Sequence, residues 1–382
     1  MEALTPYREI VEEIKAKGSD TFKLCYQCGL CDAVCPWNEF TTFSMRRLLR
    51  ESAFGFVQIE KETIWRCTTC GRCWKWCPRG VDQIGMNVAL RRLATEYGVL
   101  PQAVKPVRTA IGSITSQGNP LREDRAARAR WSEGLGVKTF EPGTDYLYFP
   151  CCYTCYDQRL MKVSRATVKV LDHIGLDFGI LGEEVNCCGE SVRKIGEEEV
   201  YRGLVKGNLK AFVDAEVKRV IVSSPHCYYT MKNEYPDFGL HIPVLSIVEV
   251  LYQALKEGRL RPKNPYPKKV IYHDPCYLGR HSGLYDEPRE LLRAVPGLEL
   301  LEFDRAKGDS LCCGMGGGRI WMETPKEERF SNRKLEEAVA KGAEVLATAC
   351  PYCITAFEDS RAVLGLEGIE VRDITEILAE TL

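Results

Sequence analysis

Two runs of cysteine with the same spacing constrain this chain more than any other feature of its sequence. Each run reads C-x2-C-x2-C-x3-C-P. The first comprises Cys25, Cys28, Cys31 and Cys35 before Pro36, and the second comprises Cys67, Cys70, Cys73 and Cys77 before Pro78. Three cysteines at two-residue gaps form a tight loop over one face of an iron–sulfur cubane. Structural zinc is the alternative, but it uses two separated pairs and leaves the third cysteine unexplained.

This spacing predicts two [4Fe–4S] cubane clusters in a helical ferredoxin-like domain over residues 1–100. The fourth cysteine of each run leaves its own loop and ligates the other cluster. The expected ligand sets are Cys25, Cys28, Cys31 and Cys77 for one cubane, and Cys67, Cys70, Cys73 and Cys35 for the other. Between the runs, residues 41–54 have a helical pattern. Trp65, Trp74 and Trp76 are expected either to shield the second cubane from water or to form ordinary core.

Size and composition indicate a globular protein with reduced cysteines. The 382 residues include 19 cysteines, and the net charge is −1. This charge argues against bulk attraction to nucleic acid or to an anionic membrane surface. No apolar run approaches the roughly 20 residues that span a bilayer, and the acidic N-terminus is unlike a signal peptide. We therefore expect a cytoplasmic protein that reaches a membrane, if at all, through a partner.

Residues 101–143 contain no cysteine and are expected to form a helical linker. They follow an amphipathic pattern over 81–98 that predicts a helix ending at Gly98. The linker carries a basic patch, made by Arg122, Arg125, Arg128 and Arg130. A solvated helix face is the simple interpretation of such charges, and a docking surface for an acidic partner is the other.

The rest of the chain is an internal duplication, expected as two cysteine-rich domains over 144–264 and 265–382. Each half has an apolar strand running into Pro-Cys, then a Cys-Cys-Gly, then a second strand followed by Ser/Cys-Pro-x-Cys. Cys151 to Cys187 spans 36 residues, and so does Cys276 to Cys312. Strands that alternate with helices predict βαβ units. The expected fold is therefore α+β: a helical ferredoxin-like domain followed by a duplicated α/β domain with parallel sheets.

The cysteines of each half directly follow strands, and the carboxyl ends of parallel strands share one edge of a sheet. In the second half, five thiolates can meet there: Cys276, Cys312, Cys313, Cys350 and Cys353. Five exceed the need of one zinc ion or one cubane, and adjacent cysteine side chains diverge along an extended chain. We therefore infer an enlarged or open iron–sulfur cluster in the second half.

The whole arrangement resembles the CCG-domain iron–sulfur proteins, which carry C…CCG…CPxC twice behind a two-cluster module. The segment CCGMGGGRIWME (312–323) is most similar to the catalytic subunits of heterodisulfide reductases and to the related subunit of the sulfite-reductase-linked membrane complex. The resemblance implies that each complete cysteine set binds a noncubane [4Fe–4S] cluster that reduces a disulfide. It assigns a catalytic role to Cys276, Cys312, Cys313, Cys350 and Cys353.

The first half departs from this pattern, because Ser224 stands where the second half has Cys350. The candidate metal ligands here are Cys151, Cys152, Cys155, Cys187, Cys188 and Cys227. Spacing favours Cys151 as the counterpart of Cys276, whereas the following tyrosine favours Cys152. Three interpretations stay open: a modified iron–sulfur site, a zinc site, and structure only. The chain is thus expected to hold one or two noncubane clusters.

Other residues near the cysteines have two interpretations each. His226, His273 and His281 lie close to cysteines in the sequence and either hydrogen-bond to a cluster or simply pack. The glycines at 314 and 316–318 lack the Lys-Ser/Thr of a phosphate loop. Close backbone approach to the cluster is the better explanation for them.

Two functions are compatible with these motifs. In the first, electrons enter from a partner, cross the cubanes and reach the second half, where a disulfide is reduced. In the second, the chain only conducts electrons within a larger flavin-containing complex. Because the sequence has no flavin or nicotinamide fingerprint, partner subunits are expected in both cases. The candidate electron donors are a flavoprotein, a hydrogenase-like subunit and a membrane cytochrome.

Overall fold

The computed structural model describes residues 5–382, which separate into two units. Unit 1 comprises the chain up to Arg108 together with two later segments, Ser191–Glu199 and Gly314–Phe330. Unit 2 comprises Thr109–Glu190, Val200–Cys313 and Ser331–Leu382. Each later segment of unit 1 follows closely on a Cys-Cys-Gly motif in the sequence. Among the described residues, no helix combines the length and the apolar character needed to cross a bilayer.

Unit 1 is built from short helices around the two cysteine runs. They are α1 (Arg8–Lys17), α2 (Leu30–Ala33), α3 (Met45–Phe54), α4 (Arg72–Lys75), α5 (Gln83–Glu96) and the start of α6 (Lys105–Gln117). The side chain of Ser44 caps α3, and that of Asp82 caps α5, each by accepting a hydrogen bond from a backbone N–H of the first turn. The helices predicted within 41–54 and 81–98 are confirmed.

Arg91 in α5 ties three parts of unit 1 together. Its fully buried guanidinium donates hydrogen bonds to the backbone carbonyls of Ile64, Cys67, Lys194 and Gly317. A buried guanidinium needs several acceptors, because each unsatisfied N–H would carry a desolvation cost. Arg91 therefore fixes both later segments of unit 1 to the loop that begins the second cysteine run.

The glycine-rich part of Gly314–Phe330 approaches the same loop. A Cβ atom on Gly317 would lie 2.6 Å from the carbonyl oxygen of Cys67, and the φ angle of Gly317 is 62°. A Cβ atom on Gly316 would collide with the carbonyl oxygen of Thr68. Both positions therefore require glycine. The sequence predicts a close approach of this glycine run to a cluster; the contacts seen at Gly316 and Gly317 are with the backbone of Thr68 and Cys67 instead, and approach to a cluster stays a prediction.

Unit 2 contains two parallel four-stranded sheets, which confirms the predicted duplicated α/β architecture. The first sheet has the order β2-β1-β3-β4, with β1 (Tyr146–Phe149), β2 (Phe178–Gly179), β3 (Val220–Val222) and β4 (Val244–Ser246). The second has the order β6-β5-β7-β8, with β5 (Lys269–Tyr272), β6 (Glu299–Leu301), β7 (Val345–Thr348) and β8 (Glu370–Asp373). The two repeats therefore share one topology.

Further helices follow α6 in the chain, and most of them belong to unit 2. They are α7 (Cys152–Tyr156), α8 (Gln158–His173), α9 (Glu190–Lys194), α10 (Glu198–Asp214), α11 (Pro225–Asn233), α12 (Ile247–Lys256), α13 (Glu287–Arg293), α14 (Phe330–Ala340), α15 (Pro351–Leu364) and α16 (Ile374–Thr381). The last strand of each sheet runs directly into a helix that opens with a capping box, Ser246 with Glu249 at α12 and Asp373 with Glu376 at α16. One hydrophobic core extends through both repeats.

Candidate iron–sulfur sites

The eight cysteines of the two runs line two hollows in unit 1. Cys25, Cys28, Cys31 and Cys77 line the first hollow, and Cys31, Cys35, Cys67, Cys70 and Cys73 line the second. The fourth cysteine of each run therefore lies with the first three of the other run. This is the crossed grouping that the spacing predicts, and ligation by these thiols stays a prediction.

The loops around both hollows have the backbone geometry that a cluster needs. Gly29 and Gly71, which follow the second cysteine of each run, have φ angles of 85° and 76° and precede α2 and α4. Backbone N–H groups also donate to sulfur: the nitrogen of Thr69 lies 3.4 Å from Sγ of Cys67, and that of Val81 lies 3.4 Å from Sγ of Cys77. Such N–H···S bonds help to set cluster reduction potentials.

The two hollows differ in their exposure to solvent. Cys28 is exposed, whereas Cys67 and Cys70 are each 8% exposed. Trp65 is buried, as a shield would be, but Trp74 and Trp76 are 45% and 44% exposed. Trp74 and Trp76 are therefore not core residues, because only Arg72 of the single-turn helix α4 is buried, and their shielding of the second cubane stays a prediction.

The five cysteines predicted for the second repeat lie together at the carboxyl ends of β5 and β7. The thiols of Cys276 and Cys312 are within hydrogen-bonding reach of each other. The thiol of Cys353 is within reach of both Cys313 and Cys350. All five side chains are buried, and the most exposed of them, Cys276, is 6% exposed. We refer to this group as the second-repeat site.

The first repeat also brings five thiols together, which we refer to as the first-repeat site. Its members are Cys151, Cys152, Cys187, Cys188 and Cys227, each within hydrogen-bonding reach of at least one other member. The Sγ atoms of Cys152 and Cys187 are 3.8 Å apart. Cys151 and Cys152, between which the sequence does not decide, are both members. Cys155 instead lies in the hydrophobic core, with its Sγ 4.0 Å from the carbonyl oxygen of Pro150.

Ser224 and Cys350 occupy equivalent positions in the two repeats. Each is the N-cap of a helix whose first residue is proline, α11 and α15 respectively. A serine at an N-cap usually accepts a hydrogen bond from the helix, yet the buried Oγ of Ser224 has no partner among residues 5–382. An orphaned buried hydroxyl is costly unless a further group completes it. Ser224 is thus available as an oxygen donor.

His226 and Tyr352 also hold equivalent positions, between the proline and the last cysteine of each motif. Each of these side chains lies beside cysteines of the other repeat. The ring of His226 stacks on Tyr277 at 4.0 Å and lies 4.6 Å from the ring of Tyr352. Its imidazole is within hydrogen-bonding reach of the Cys350 thiol. Burial, Tyr153 and the thiols of Cys152 and Cys151 raise the pKa of Tyr352, which places this phenol beside the first-repeat site.

Three ionisable side chains, those of Glu190, His226 and Cys350, lie together where the two repeats face each other. Nδ1 of His226 lies 3.0 Å from Oε2 of Glu190. Burial lowers the pKa of His226, but the Glu190 carboxylate and the Cys350 thiol together raise it to about 10. Burial raises the pKa of Cys350, but the hydrogen bonds from Cys353 and His226 lower it to about 6. Both shifts favour a proton on His226 rather than on Cys350, so the imidazole can hold a proton between the Glu190 carboxyl group and the Cys350 sulfur.

The other two histidines singled out in the sequence have different surroundings. His281 stacks on Tyr277 at 4.4 Å, so it belongs to the same aromatic layer as His226. His273 is fully buried and packs edge-on against Phe357 at 4.8 Å. Burial, followed by Lys334 and Arg280, lowers the pKa of His273, so this ring is neutral.

Arg128 is the residue that sequence reasoning missed. Its side chain is 2% exposed, so the interpretation of the basic patch as a solvated or docking face is wrong at this position. Its guanidinium lies over the ring of Phe149 and within electrostatic range of Cys155 and Cys152. Arg280 is its counterpart in the second repeat. The hydrogen bond with Cys312 and burial raise the pKa of Cys276, and the buried Arg280 lowers it. Each cysteine site thus has a buried cation.

The donor sets have the chemistry that iron–sulfur clusters require. All 19 cysteines are free thiols. Five buried thiols with a nearby arginine suit an anionic cluster with several iron atoms, since soft thiolates are preferred by iron–sulfur clusters and the cation offsets their charge.

Eight cysteines in two crossed loops and ten more at the strand ends of a duplicated α/β domain define a multi-cluster iron–sulfur protein. Comparison with known families agrees with this class. A 4Fe-4S dicluster domain matches residues 20–81, and a cysteine-rich CCG domain matches residues 146–232 and 270–358.

Individual relatives narrow the assignment. The chain is 30% identical to a subunit of dihydromethanophenazine:CoB–CoM heterodisulfide reductase from Methanosarcina mazei, over 94% of this chain and 93% of that relative. It therefore belongs to the family of CCG-domain iron–sulfur oxidoreductases that includes this heterodisulfide reductase component, which confirms the resemblance seen in the sequence. A hypothetical protein from Helicobacter pylori shares the fold, with a TM-score of 0.55 over 88% of this chain and 65% of that chain at 12% identity.

Two bacterial relatives are longer proteins. The chain is 34% identical to a probable iron–sulfur-binding oxidoreductase, FadF, from Bacillus subtilis, and 36% identical to an EtfAB:quinone oxidoreductase from Syntrophomonas wolfei. These matches cover 85% and 86% of this chain but only 47% and 48% of the two relatives. The chain thus spans about half the length of these relatives.

Proposed function

We propose that this chain receives electrons at the first hollow of unit 1 and delivers them to the second-repeat site, where a disulfide is reduced. Clusters held by these thiols would supply one-electron transfer, and an open iron–sulfur centre in the second repeat would supply a place for a disulfide sulfur. The overall reaction consumes two electrons and two protons and releases two thiols. The contact of His226 with Cys350 carries this proposal, because it gives the second-repeat site a proton-holding group that simple electron conduction does not need.

Exposure supports this direction of flow. Cys28 is exposed and the other cysteines of the first hollow are at most partly buried, with the exception of Cys31. A partner's redox group can therefore approach this hollow closely. The second-repeat thiols are all buried, which keeps water from a reactive centre.

His226 acts as the positioned proton donor in this proposal. Its imidazolium is held by Glu190 on one side and faces Cys350 on the other. Stacking against Tyr277 and Tyr352 fixes the ring plane, so the N–H cannot swing away from the sulfur. A donor fixed in this way can deliver a proton to a departing thiolate at the moment that the sulfur–sulfur bond breaks.

The proposed ligands are the crossed sets in unit 1 and the five thiols of each repeat. For the first repeat we propose an iron–sulfur cluster, with Ser224 Oγ as an additional donor and Cys155 outside the ligand set. A zinc ion and an empty site are the alternatives there, and they differ in metal content. A cluster in both repeats corresponds to roughly 16 irons per chain, and a cluster in the second repeat alone corresponds to roughly 12.

The test is EPR spectroscopy of anaerobically purified, oxidised protein with and without added thiol, combined with disulfide-reduction rates. We expect a thiol-dependent signal that disappears in Cys312→Ser. In His226→Phe, which retains the stack but not the N–H, we expect the signal to remain and the rate to fall by about 10²-fold, the usual contribution of a positioned acid. His226→Gln, which retains an N–H donor but has no proton to transfer, should be as slow as His226→Phe. A thiol-independent spectrum and an unchanged rate in His226→Phe would overturn the proposal.

A second function, electron conduction without a substrate, is favoured by a different observation. None of the five second-repeat thiols is more than 6% exposed, which leaves little room for a bulky disulfide. The chain also spans about half of a relative named an EtfAB:quinone oxidoreductase. In this alternative a flavoprotein, a hydrogenase-like subunit or a membrane cytochrome supplies the electrons, and another subunit or domain carries the acceptor. Reduction of the second-repeat site without any turnover of small disulfides would support it.

A further inference from the structure

The wall of the first hollow in unit 1 carries charge of one sign. Arg46 and Arg79 are the only basic residues among the described side chains that line this hollow, and no Asp or Glu lines it. The side chain of Arg46 is 50% exposed, and Arg79 is exposed as well. The wall therefore presents two guanidinium groups to solvent without a carboxylate between them.

Two further exposed cations flank this wall. Arg50 lies four residues after Arg46 in α3, so their side chains share one face of the helix. Lys75 lies two residues before Cys77, which lines the hollow. Like charges four residues apart weaken a helix slightly, so α3 itself gains nothing from its arginine pair. We refer to Arg46, Arg50, Lys75 and Arg79 as the basic rim.

The chain itself leaves the basic rim largely unneutralised. Among residues 5–382, no ion pair involves Arg50, Lys75 or Arg79. Arg46 is the exception, since its Nε lies 3.9 Å from the carboxylate of Asp32. An exposed pair at that distance contributes little. Four cations thus face one carboxylate, and their field acts on a charged protein that approaches from solvent.

Exposed aromatic side chains accompany these cations. Tyr26, which lines the hollow, is 60% exposed, and Trp76, next to Cys77, is 44% exposed. Tyr26 and Arg79 are close enough to act on each other electrostatically. Tyrosine, tryptophan and arginine are enriched at protein–protein interfaces. They also occur at membrane surfaces, but a lipid surface has no redox group to offer a hollow lined by predicted cluster ligands.

We propose that the basic rim, with Tyr26 and Trp76, docks an acidic redox protein whose exposed redox group is surrounded by Asp and Glu side chains. The docking rests on the electron entry proposed for the first hollow. One electron would leave the redox group of the partner and be accepted in this hollow, with no bond formed or broken and no proton moved. Opposite charge draws the partner to this face, and the exposed Cys28 marks the point of closest approach.

The probe is cytochrome c in two forms that share one haem and differ in charge. The native protein surrounds its exposed haem edge with lysines, and succinylation converts these amines into carboxylates. Under anaerobic conditions the full chain, with its clusters reduced, gives one electron to the ferric haem of either form. Stopped-flow absorbance provides the two rate constants. Isothermal titration calorimetry provides the two dissociation constants without any turnover.

The rate ratio, succinylated over native, measures the charge preference of the chain. At about 0.01 M salt we expect a ratio of at least about 10 and a similar ratio of affinities, because steering by opposite charge accelerates association by 10-fold or more. The net charge of the chain is −1, so it cannot by itself favour an acidic protein. At about 0.15 M salt the Debye length falls from about 30 to about 8 Å, and the ratio should fall several-fold.

Charge reversals locate the docking. Lys75→Glu combined with Arg79→Glu turns two rim cations into anions and should lower the rate ratio about tenfold. Arg46→Glu combined with Arg50→Glu makes the same change on a different helix and should have a similar effect. All four side chains are exposed, so these changes remove no buried group. Iron content confirms that each variant is folded, and if one pair loses iron the other decides.

Arg8→Glu combined with Lys61→Glu is the matched control. Both residues are exposed cations of unit 1 that line neither hollow, so the rate ratio should stay within about twofold of that of the unmodified chain. A ratio of one or less in the unmodified chain at low salt would overturn the proposal. So would an unchanged ratio in both rim variants, or an equal loss in the control.

Phosphatidylserine vesicles test the competing surface. We expect no co-sedimentation of the chain with them. Co-sedimentation that depends on the basic rim, together with a rate ratio of about one, would overturn the proposal in favour of a lipid surface.

Disulfide turnover by the unmodified chain decides the proposed function separately. Turnover without a preference for the succinylated cytochrome means that only the docking fails. A rim-dependent preference without turnover means that the docking stands and that disulfide reduction fails.

Discussion

The two repeats of unit 2 have one topology and two different cysteine sets. Both sheets have the same strand order, both motifs begin a helix with Pro at its first position, and both repeats gather five buried thiols. In the second repeat these come from Cys276, a Cys-Cys pair, and both ends of Cys350-Pro-Tyr-Cys353. In the first, Ser224 replaces the cysteine before proline, and the adjacent Cys151 and Cys152 supply two thiols instead of one.

The difference teaches that two repeats with the same number of buried thiols can hold them at different positions. The first repeat has serine at 224 and two cysteines, 151 and 152, at the end of the neighbouring strand. The residue between proline and cysteine also differs, His226 in one repeat and Tyr352 in the other. Because each of these side chains faces the other repeat, the second-repeat site has an imidazole beside it, and the first-repeat site has a phenol. Equivalent folds therefore offer unequal chemistry.

The largest effect is expected from exchanging the residues that distinguish the motifs. Cys350→Ser makes the second repeat resemble the first without an added thiol, so we expect loss of about four irons and of disulfide reduction. Ser224→Cys makes the reciprocal change and should retain both. Iron analysis, EPR and turnover distinguish the two variants. Equal iron content and activity in both would mean that the cysteine before proline is not a ligand.

Removing a thiol from the first repeat tests whether that site holds a cluster. Cys227→Ser should lower the iron content by about four atoms per chain, because a cluster cannot form without its full thiol set. Cys155→Ala is the control: it removes a core thiol at a cost of roughly 1 kcal/mol in stability and should leave the iron content unchanged. A loss of one zinc instead of iron in Cys227→Ser would show that the first repeat binds zinc.

The buried arginines should tune the two sites in the same direction. Arg128→Met and Arg280→Met each remove a positive charge near the thiols, so the reduced, more negative cluster loses stabilisation. We expect the reduction potential of the nearer site to fall by about 50–100 mV in each variant. Arg219→Met, at an arginine that pairs with the exposed Asp145, is the control and should shift neither potential. A shift confined to one repeat would mean that only that repeat binds a cluster.

The smallest effect concerns the helix caps, which differ in their response to pH. Asp373 caps α16, and burial raises its pKa to about 7. The folded state therefore holds this proton more tightly than an unfolded aspartate does, so stability of the cap falls as pH rises from about 4 to 7. Ser246, which caps α12, does not titrate, and the glutamate of the capping box is common to both helices, Glu249 in α12 and Glu376 in α16.

Amide hydrogen exchange in the first turn of each helix measures this contrast. After correction for the intrinsic exchange rate, protection in α16 should decrease between pH 5 and pH 8, by up to about 1.4 kcal/mol for each pH unit below 7, and that in α12 should not change. In Asp373→Ser the two helices should behave alike. A pH-dependent loss that persists in this variant would have to arise from another group.

The sequence predicted what depends on local spacing. The crossed grouping of Cys35 and Cys77, the two parallel sheets and the meeting of cysteines at their edge follow from the lengths between cysteines and from strand periodicity. The burial of Arg128 could not be predicted, because charge patterning assigns such an arginine to a solvated face unless the surrounding packing is known. The contacts of His226 and Tyr352 depend on how two separate sheets pack together, and no spacing within one repeat encodes that arrangement.

Arg91 has a consequence for the order in which the protein is made. The cysteine runs of unit 1 leave the ribosome first, yet two of the carbonyls that satisfy this buried guanidinium belong to Lys194 and Gly317. Until those segments emerge, the Cys67 loop lacks its neighbours and Arg91 lacks two acceptors. The packing of the Cys67 loop against these two segments can therefore form only after both of them have been synthesised.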